Sequence, residues 1–149
     1  MSRLAAVLAL VCTVAVVTAV LNVPGDAALT GKITLTAIAM EHNVQGVFPG
    51  AMETWRYSLT SIRRNPARPF GYMVLSCARI QAENTLRQCV GTASLPRGKI
   101  SVSGSFLYAQ LWTLAVTGGT DDYAGATGTA TSIQTRKSKT VFVLTFNLT

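Results

Sequence analysis

Two stretches, Ile100-Ser-Val102-Ser and Phe142-Val-Leu144-Thr-Phe146-Asn-Leu148, alternate apolar and polar residues with a period of two. That period sends successive side chains to opposite faces of an extended chain, and the β-branched and aromatic content suits strands rather than helices. Between these runs stands Gly118-Gly-Thr-Asp-Asp-Tyr-Ala-Gly-Ala-Thr-Gly128, with glycines at 118, 119, 125 and 128. Glycine permits positive φ and close backbone approach, so the segment suits a tight turn leading into a strand. It does not suit a phosphate loop, which must open a helix whose N-terminus holds the anion; no helical period follows Gly128.

The same reading along the chain predicts eight strands, at about 31–40, 53–62, 70–80, 85–95, 98–105, 110–117, 124–134 and 139–148. One strand and its turn take about 15 residues, a spacing that fits a barrel or a sandwich. No long helical segment competes. Eight antiparallel strands can close into a barrel that holds side chains or one small ligand, and closure removes the exposed edges. Alternation alone leaves barrel and two-sheet sandwich both open.

Residues 1–27 are set apart from this pattern. Arg3 precedes an uncharged, almost wholly apolar stretch from Leu4 to Leu21, and small residues follow at Gly25-Asp26-Ala27. This is the layout of a secretory signal peptide, with residues 28–149 left as a single domain. The alternative is an uncleaved anchor, the one route by which the chain would meet a membrane. In the exported chain Cys77 and Cys89 form an even pair in an oxidising compartment, without a CxxC or metal-type spacing. They are symmetric about Glu83 within the predicted hairpin of strands 70–80 and 85–95, so antiparallel pairing brings them opposite each other. The pair reads as a disulfide, with two buried free thiols as the alternative.

The C-terminal half, GTASLPRGKISVSGSF followed by LAVTGGTDDYAGATGTATS and VFVLTFNL, resembles the allene oxide cyclase and dirigent barrel superfamily, in particular its small secreted members. The resemblance implies an all-β fold, an eight-stranded antiparallel β-barrel with a central pocket, often assembled as a homo-oligomer, that shapes a reactive small molecule. Two departures stand out. Gly119-Thr120-Asp121-Asp122-Tyr123 replaces a common Gly-Thr-Gly-x-Tyr, and Ala126-Thr127-Gly128 replaces Ala-Arg-Gly. Thr127 offers no bidentate, permanently charged contact of the kind an arginine supplies.

Acid–base candidates are few, because residues 28–149 hold only Glu41, Glu53, Glu83, Asp121 and Asp122 as acidic side chains. Glu41 ends the first predicted strand beside His42, the sole histidine, and either group at a barrel mouth can move protons. Adjacent positions on a strand point apart, however, and a solvated strand end is the plain alternative. Asp122 and Tyr123 in the glycine-rich turn complete the candidate catalytic set, against an ordinary turn-capping role for the aspartate. Trp55, Tyr57, Tyr72 and Trp112, with Phe106 and Tyr108, are candidate ligand-binding aromatics or simply core. Trp55 and Tyr57 share a face and Arg56 takes the other; parity leaves open which face is inward.

Arg63, Arg64 and Arg68 cluster with Pro66 and Pro69 in the strongest basic patch. It reads either as a polyanion-attracting surface or as a solubilising loop on a chain of net charge +7. No nucleic-acid-binding signature accompanies the charge. One histidine and one cysteine pair make no metal set, and no cofactor is expected. The expectation is therefore a secreted barrel that binds a small apolar or phenolic molecule and steers its cyclisation, isomerisation or coupling. A noncatalytic secreted module working through the arginine loop is the alternative.

Overall fold

The computed structural model describes residues 30–61, 70–81, 86–107 and 111–149. The expected signal peptide, the Arg63, Arg64 and Arg68 patch, Glu83 and Tyr108 lie outside the described residues. Eight strands form a closed antiparallel barrel in simple sequential order: β1 (Gly31–Val44), β2 (Met52–Ser61), β3 (Gly71–Arg79), β4 (Leu86–Leu95), β5 (Gly98–Leu107), β6 (Leu111–Gly119), β7 (Gly128–Gln134) and β8 (Val141–Leu148). This settles barrel over sandwich. The seam is β1 with β8, paired from Gly31 opposite Leu148 to Ile38 opposite Val141.

Alternation assigns each side chain to the interior or the surface. Tyr57 and Leu59 of β2, Met73, Leu75 and Cys77 of β3, Ile100 and Val102 of β5, and Leu144 and Phe146 of β8 point inward and are buried. The glycine-rich segment does form a turn between strands. A single 3-10 turn, Asp121–Tyr123, follows β6, and β7 begins at Gly128, four residues later than the pattern suggested. Gly128 adopts φ 123°, and a Cβ there would run into the carbonyl oxygen of Asn147 on the neighbouring strand, so only glycine fits. Tyr123 and Ala126 from this turn fold over the barrel end beside Leu148 and pack into the core.

β1 departs from expectation in a way that matters below. It runs on to Val44 rather than stopping near residue 40, and its pairing with β2 slips between Ala39 and Glu41. The slip is a β-bulge at Met40, and one extra residue reverses which face each later side chain takes. Before the bulge Leu35 and Ala37 face inward; after it the even-numbered His42 does, opposite Trp55.

Cys77 and Cys89 are register partners on β3 and β4, fully buried, and joined as a disulfide. The sequence separation is 12 residues, and closing such a loop stabilises the folded state by about 3 kcal/mol in the chain-entropy view. Reduction, or the double change Cys77→Ala and Cys89→Ala, is expected to lower unfolding stability by about 2–4 kcal/mol. Urea denaturation with and without reductant measures this; coincident curves would show that the bridge contributes nothing.

Candidate functional site

The two ends of the barrel differ in chemistry. Where β2, β4, β6 and β8 finish, the interior is apolar and capped by the Tyr123 turn. Where β1, β3, β5 and β7 finish, the inward positions carry charge and aromatic rings, and this end is the candidate site.

Glu53, second residue of β2, lies opposite Cys77 of β3, and Arg79 at the end of β3 lies opposite Arg87 of β4. Glu53 is 1% exposed. Its Oε1 accepts hydrogen bonds from Arg79 Nη2 at 2.7 Å and Arg87 Nη2 at 2.9 Å, and its Oε2 accepts one from Arg87 Nε at 2.8 Å. The Arg87 contact is the two-pronged fork that matches a planar carboxylate. His42 Nε2 stands 3.7 Å from Glu53 Oε2, and its imidazole, on a side chain 36% exposed, stacks on Trp55 with ring centroids 3.4 Å apart. Burial alone pushes the Glu53 carboxyl up, but the hydrogen bonds and charges of Arg87 and Arg79 outweigh it and hold the group below the usual carboxylate range.

Aromatic side chains surround this cluster. Trp55 and Tyr57 are stacked at 6.3 Å, Tyr57 meets Phe142 edge-on at 5.8 Å, and Phe106 stacks on Trp112 at 5.6 Å. Tyr57 and Trp112 are buried; Trp55, Phe106 and Phe142 keep partial exposure. The result is a set of ring faces, some partly open to solvent, beside a buried ion cluster at the same end of the barrel.

The sequence candidates distribute unevenly over this geometry. Trp55, Tyr57 and Trp112 are inward at the charged end. Tyr72 is on the outside, 50% exposed, where with Met40, Glu41, Arg56 and Phe70 it lines an outer groove of about 500 Å³. Glu41 also faces out and lies 3.7 Å from Arg56, so the strand sends it away from His42. Asp122 and Tyr123 belong to the opposite end of the barrel. Asp122 there makes an exposed ion pair with Arg97, and Tyr123 is 3% exposed, its phenol pushed up by burial, with Arg97 lowering and Asp122 raising it. Glu41, Asp122 and Tyr123 thus do not converge.

Glu53, Arg79 and Arg87 were not singled out from the sequence, although a signal was there. Glu53 shares parity with Trp55 and Tyr57, while Arg79 and Arg87 stand two residues from Cys77 and Cys89. Once those cysteines are bridged inside a barrel, both arginines must face inward opposite each other.

No family model and no curated protein matches the sequence. Solved structures do match. A pyocyanin demethylase superposes with a TM-score of 0.66 at 21% identity, covering 80% of this chain and 100% of that one. A pterocarpan synthase dirigent protein gives 0.60 at 14% identity over 79% and 84%, and a nonspecific heme-binding cyclase gives 0.60 at 14% over 81% and 66%. The chain has the dirigent and cyclase-type barrel fold. This agrees with the resemblance seen in its C-terminal half, and at these identities the likeness concerns the fold.

The ion cluster sets a testable energy. Glu53→Gln keeps the shape but leaves Arg79 and Arg87 as buried cations without their carboxylate, and is expected to cost about 3–5 kcal/mol in urea denaturation. A depressed folded-state pKa also fixes the sign of the pH dependence. The carboxylate's contribution is complete above the pKa it has in the unfolded chain, declines below that, and is gone once pH has passed its lower folded-state value. Stability of the native protein is expected to fall through this acidic window by more than that of Glu53→Gln. Parallel pH profiles would show that Glu53 is not the charged anchor.

Proposed function

We propose that this protein is an exported barrel that takes a small planar molecule into its charged, aromatic end and holds it in one geometry for cyclisation, isomerisation or coupling. The observation that carries the reading is the group of partly open inward rings, Trp55, Phe106 and Phe142, at the same barrel end as the buried Glu53–Arg79–Arg87 cluster, with Phe106 the register partner of Arg87. Rings offer stacking surface for a flat ligand at little entropic cost, and fixed charges orient its polar edge. Solved structures of the same fold include proteins named for a pterocarpan synthase and a cyclase, which supports the small-molecule reading without identifying the molecule.

The chemistry asked of such a site is modest. Holding a flexible reactant near its folded conformation removes much of the entropic part of a barrier, and a single proton-transfer group suffices beyond that. His42 is the group we assign: it sits at solvent's edge, its ring held by Trp55 on one side and its Nε2 turned to Glu53. Glu53 itself is committed to two arginines and serves to position rather than to react.

Trp55 tests the site because it is inward yet not part of the fully buried core. Trp55→Ala is expected to weaken binding of a flat aromatic probe about tenfold while the protein stays folded, and Arg97→Gln at the far end to leave it unchanged. Calorimetric titration reads both. Equal loss in the two variants, or no loss in Trp55→Ala, would overturn this placement.

Export is part of the proposal and rests on the apolar N-terminal segment together with the disulfide. N-terminal sequencing of the protein recovered outside the cytoplasm is expected to begin near Ala28. A product beginning at Met1 and held in the membrane would favour the anchor instead.

A further inference from the structure

Glu53 has two cations to neutralise. Of the other acidic side chains described, Glu41 pairs with Arg56 on the outer surface, and Asp121 and Asp122 lie in the turn at the opposite end. Among the described residues Glu53 is thus shared between two permanently charged guanidiniums. Both guanidiniums are held away from water, because the Arg79 and Arg87 side chains are only 15% and 7% exposed. A desolvated guanidinium with an unfilled donor is expensive, and an anion is the group that completes it.

Arg79 carries an unfilled donor. Its Nη2 donates to Glu53, whereas its Nε–H is buried with no acceptor. A guanidinium is built to make paired hydrogen bonds to an oxyanion, and Glu53 already gives its fork geometry to Arg87. Resting on the ligand-site reading above, we propose that the molecule bound at this end is an aromatic anion, whose carboxylate or phenolate-type oxygen pairs with Arg79 while its ring lies against Trp55. A neutral hydrocarbon of the same shape would meet the aromatic rings and leave the Arg79 donor unfilled. The proposal thus narrows the ligand from flat and apolar to flat and negatively charged at one edge.

The test compares two probes of one shape, 1-naphthoate and the uncharged 1-naphthamide, titrated calorimetrically into the purified disulfide-bonded protein at neutral pH. Naphthoate is expected to bind at least tenfold more tightly. Arg79→Met is expected to remove that preference by weakening naphthoate tenfold or more, with naphthamide changed less than twofold. Arg79→Lys keeps the charge but not the paired donors, and is expected to fall between; it also serves if Arg79→Met does not fold. Equal affinity for both probes in the native protein would overturn the anion proposal while leaving the ligand-site reading standing. Binding of neither would overturn both. A naphthoate preference that survives in the folded arginine variants would show that another group holds the anion, and the assignment to Arg79 would fail.

Discussion

Pairing of β1 with β8 closes the sheet, and a closed sheet gives each side chain only two destinations. Every other feature of the molecule is a consequence of that choice being made strand by strand. Ile100, Val102, Leu144 and Phe146 go inward and are lost to solvent, which supplies the main driving force for folding. A closed barrel also presents no free edge along its strands, so the outward residues are released from protecting one. The exposed apolar side chains on the outside, such as Val90, Leu111 and Ile133, are compatible with that arrangement.

Closure makes the bulge at Met40 consequential. In an isolated strand a one-residue slip alters local twist; in a barrel it exchanges inside for outside over the rest of β1. Here it turns His42 in, against Trp55 and within reach of Glu53, and turns Glu41 out to Arg56. The two neighbours in sequence end with unrelated environments. The chemistry of the site thus depends on a backbone irregularity rather than on a distinctive motif.

The barrel is asymmetric along its axis for an energetic reason. At one end the described interior is apolar, with Tyr123 and Ala126 of the turn packed against it. The other end keeps a buried carboxylate and two guanidiniums beside aromatic rings, an arrangement that well-packed hydrophobic residues would match or exceed in stability. Retaining buried charge at a partly open end is a pattern of binding sites more than of cores. The same fold carries proteins named as a demethylase, a dirigent protein and a cyclase. Such a spread shows that the fold by itself does not fix function.

Period-two patterning was enough to identify the strands, because it is a local property that each stretch carries by itself. The symmetry of Cys77 and Cys89 about their hairpin likewise disclosed the β3–β4 register, and the shared parity of Trp55 and Tyr57 put them on one face. What parity cannot express is which face is inside, nor which residues of different strands meet. Those depend on closure, on the bulge in β1 and on registers linking positions far apart in sequence, such as Glu53 with Arg87, 34 residues on. Glu53 was therefore one acidic residue among six in the sequence, and Arg79 and Arg87 two ordinary basic ones. The sequence determined an all-β chain with a stapled hairpin, since hydrogen-bonded strands and a short disulfide loop follow from near neighbours. Only the tertiary structure decided that three buried charged side chains and a half-exposed histidine meet at one end of the barrel, because that meeting is set by long-range register that no local pattern encodes.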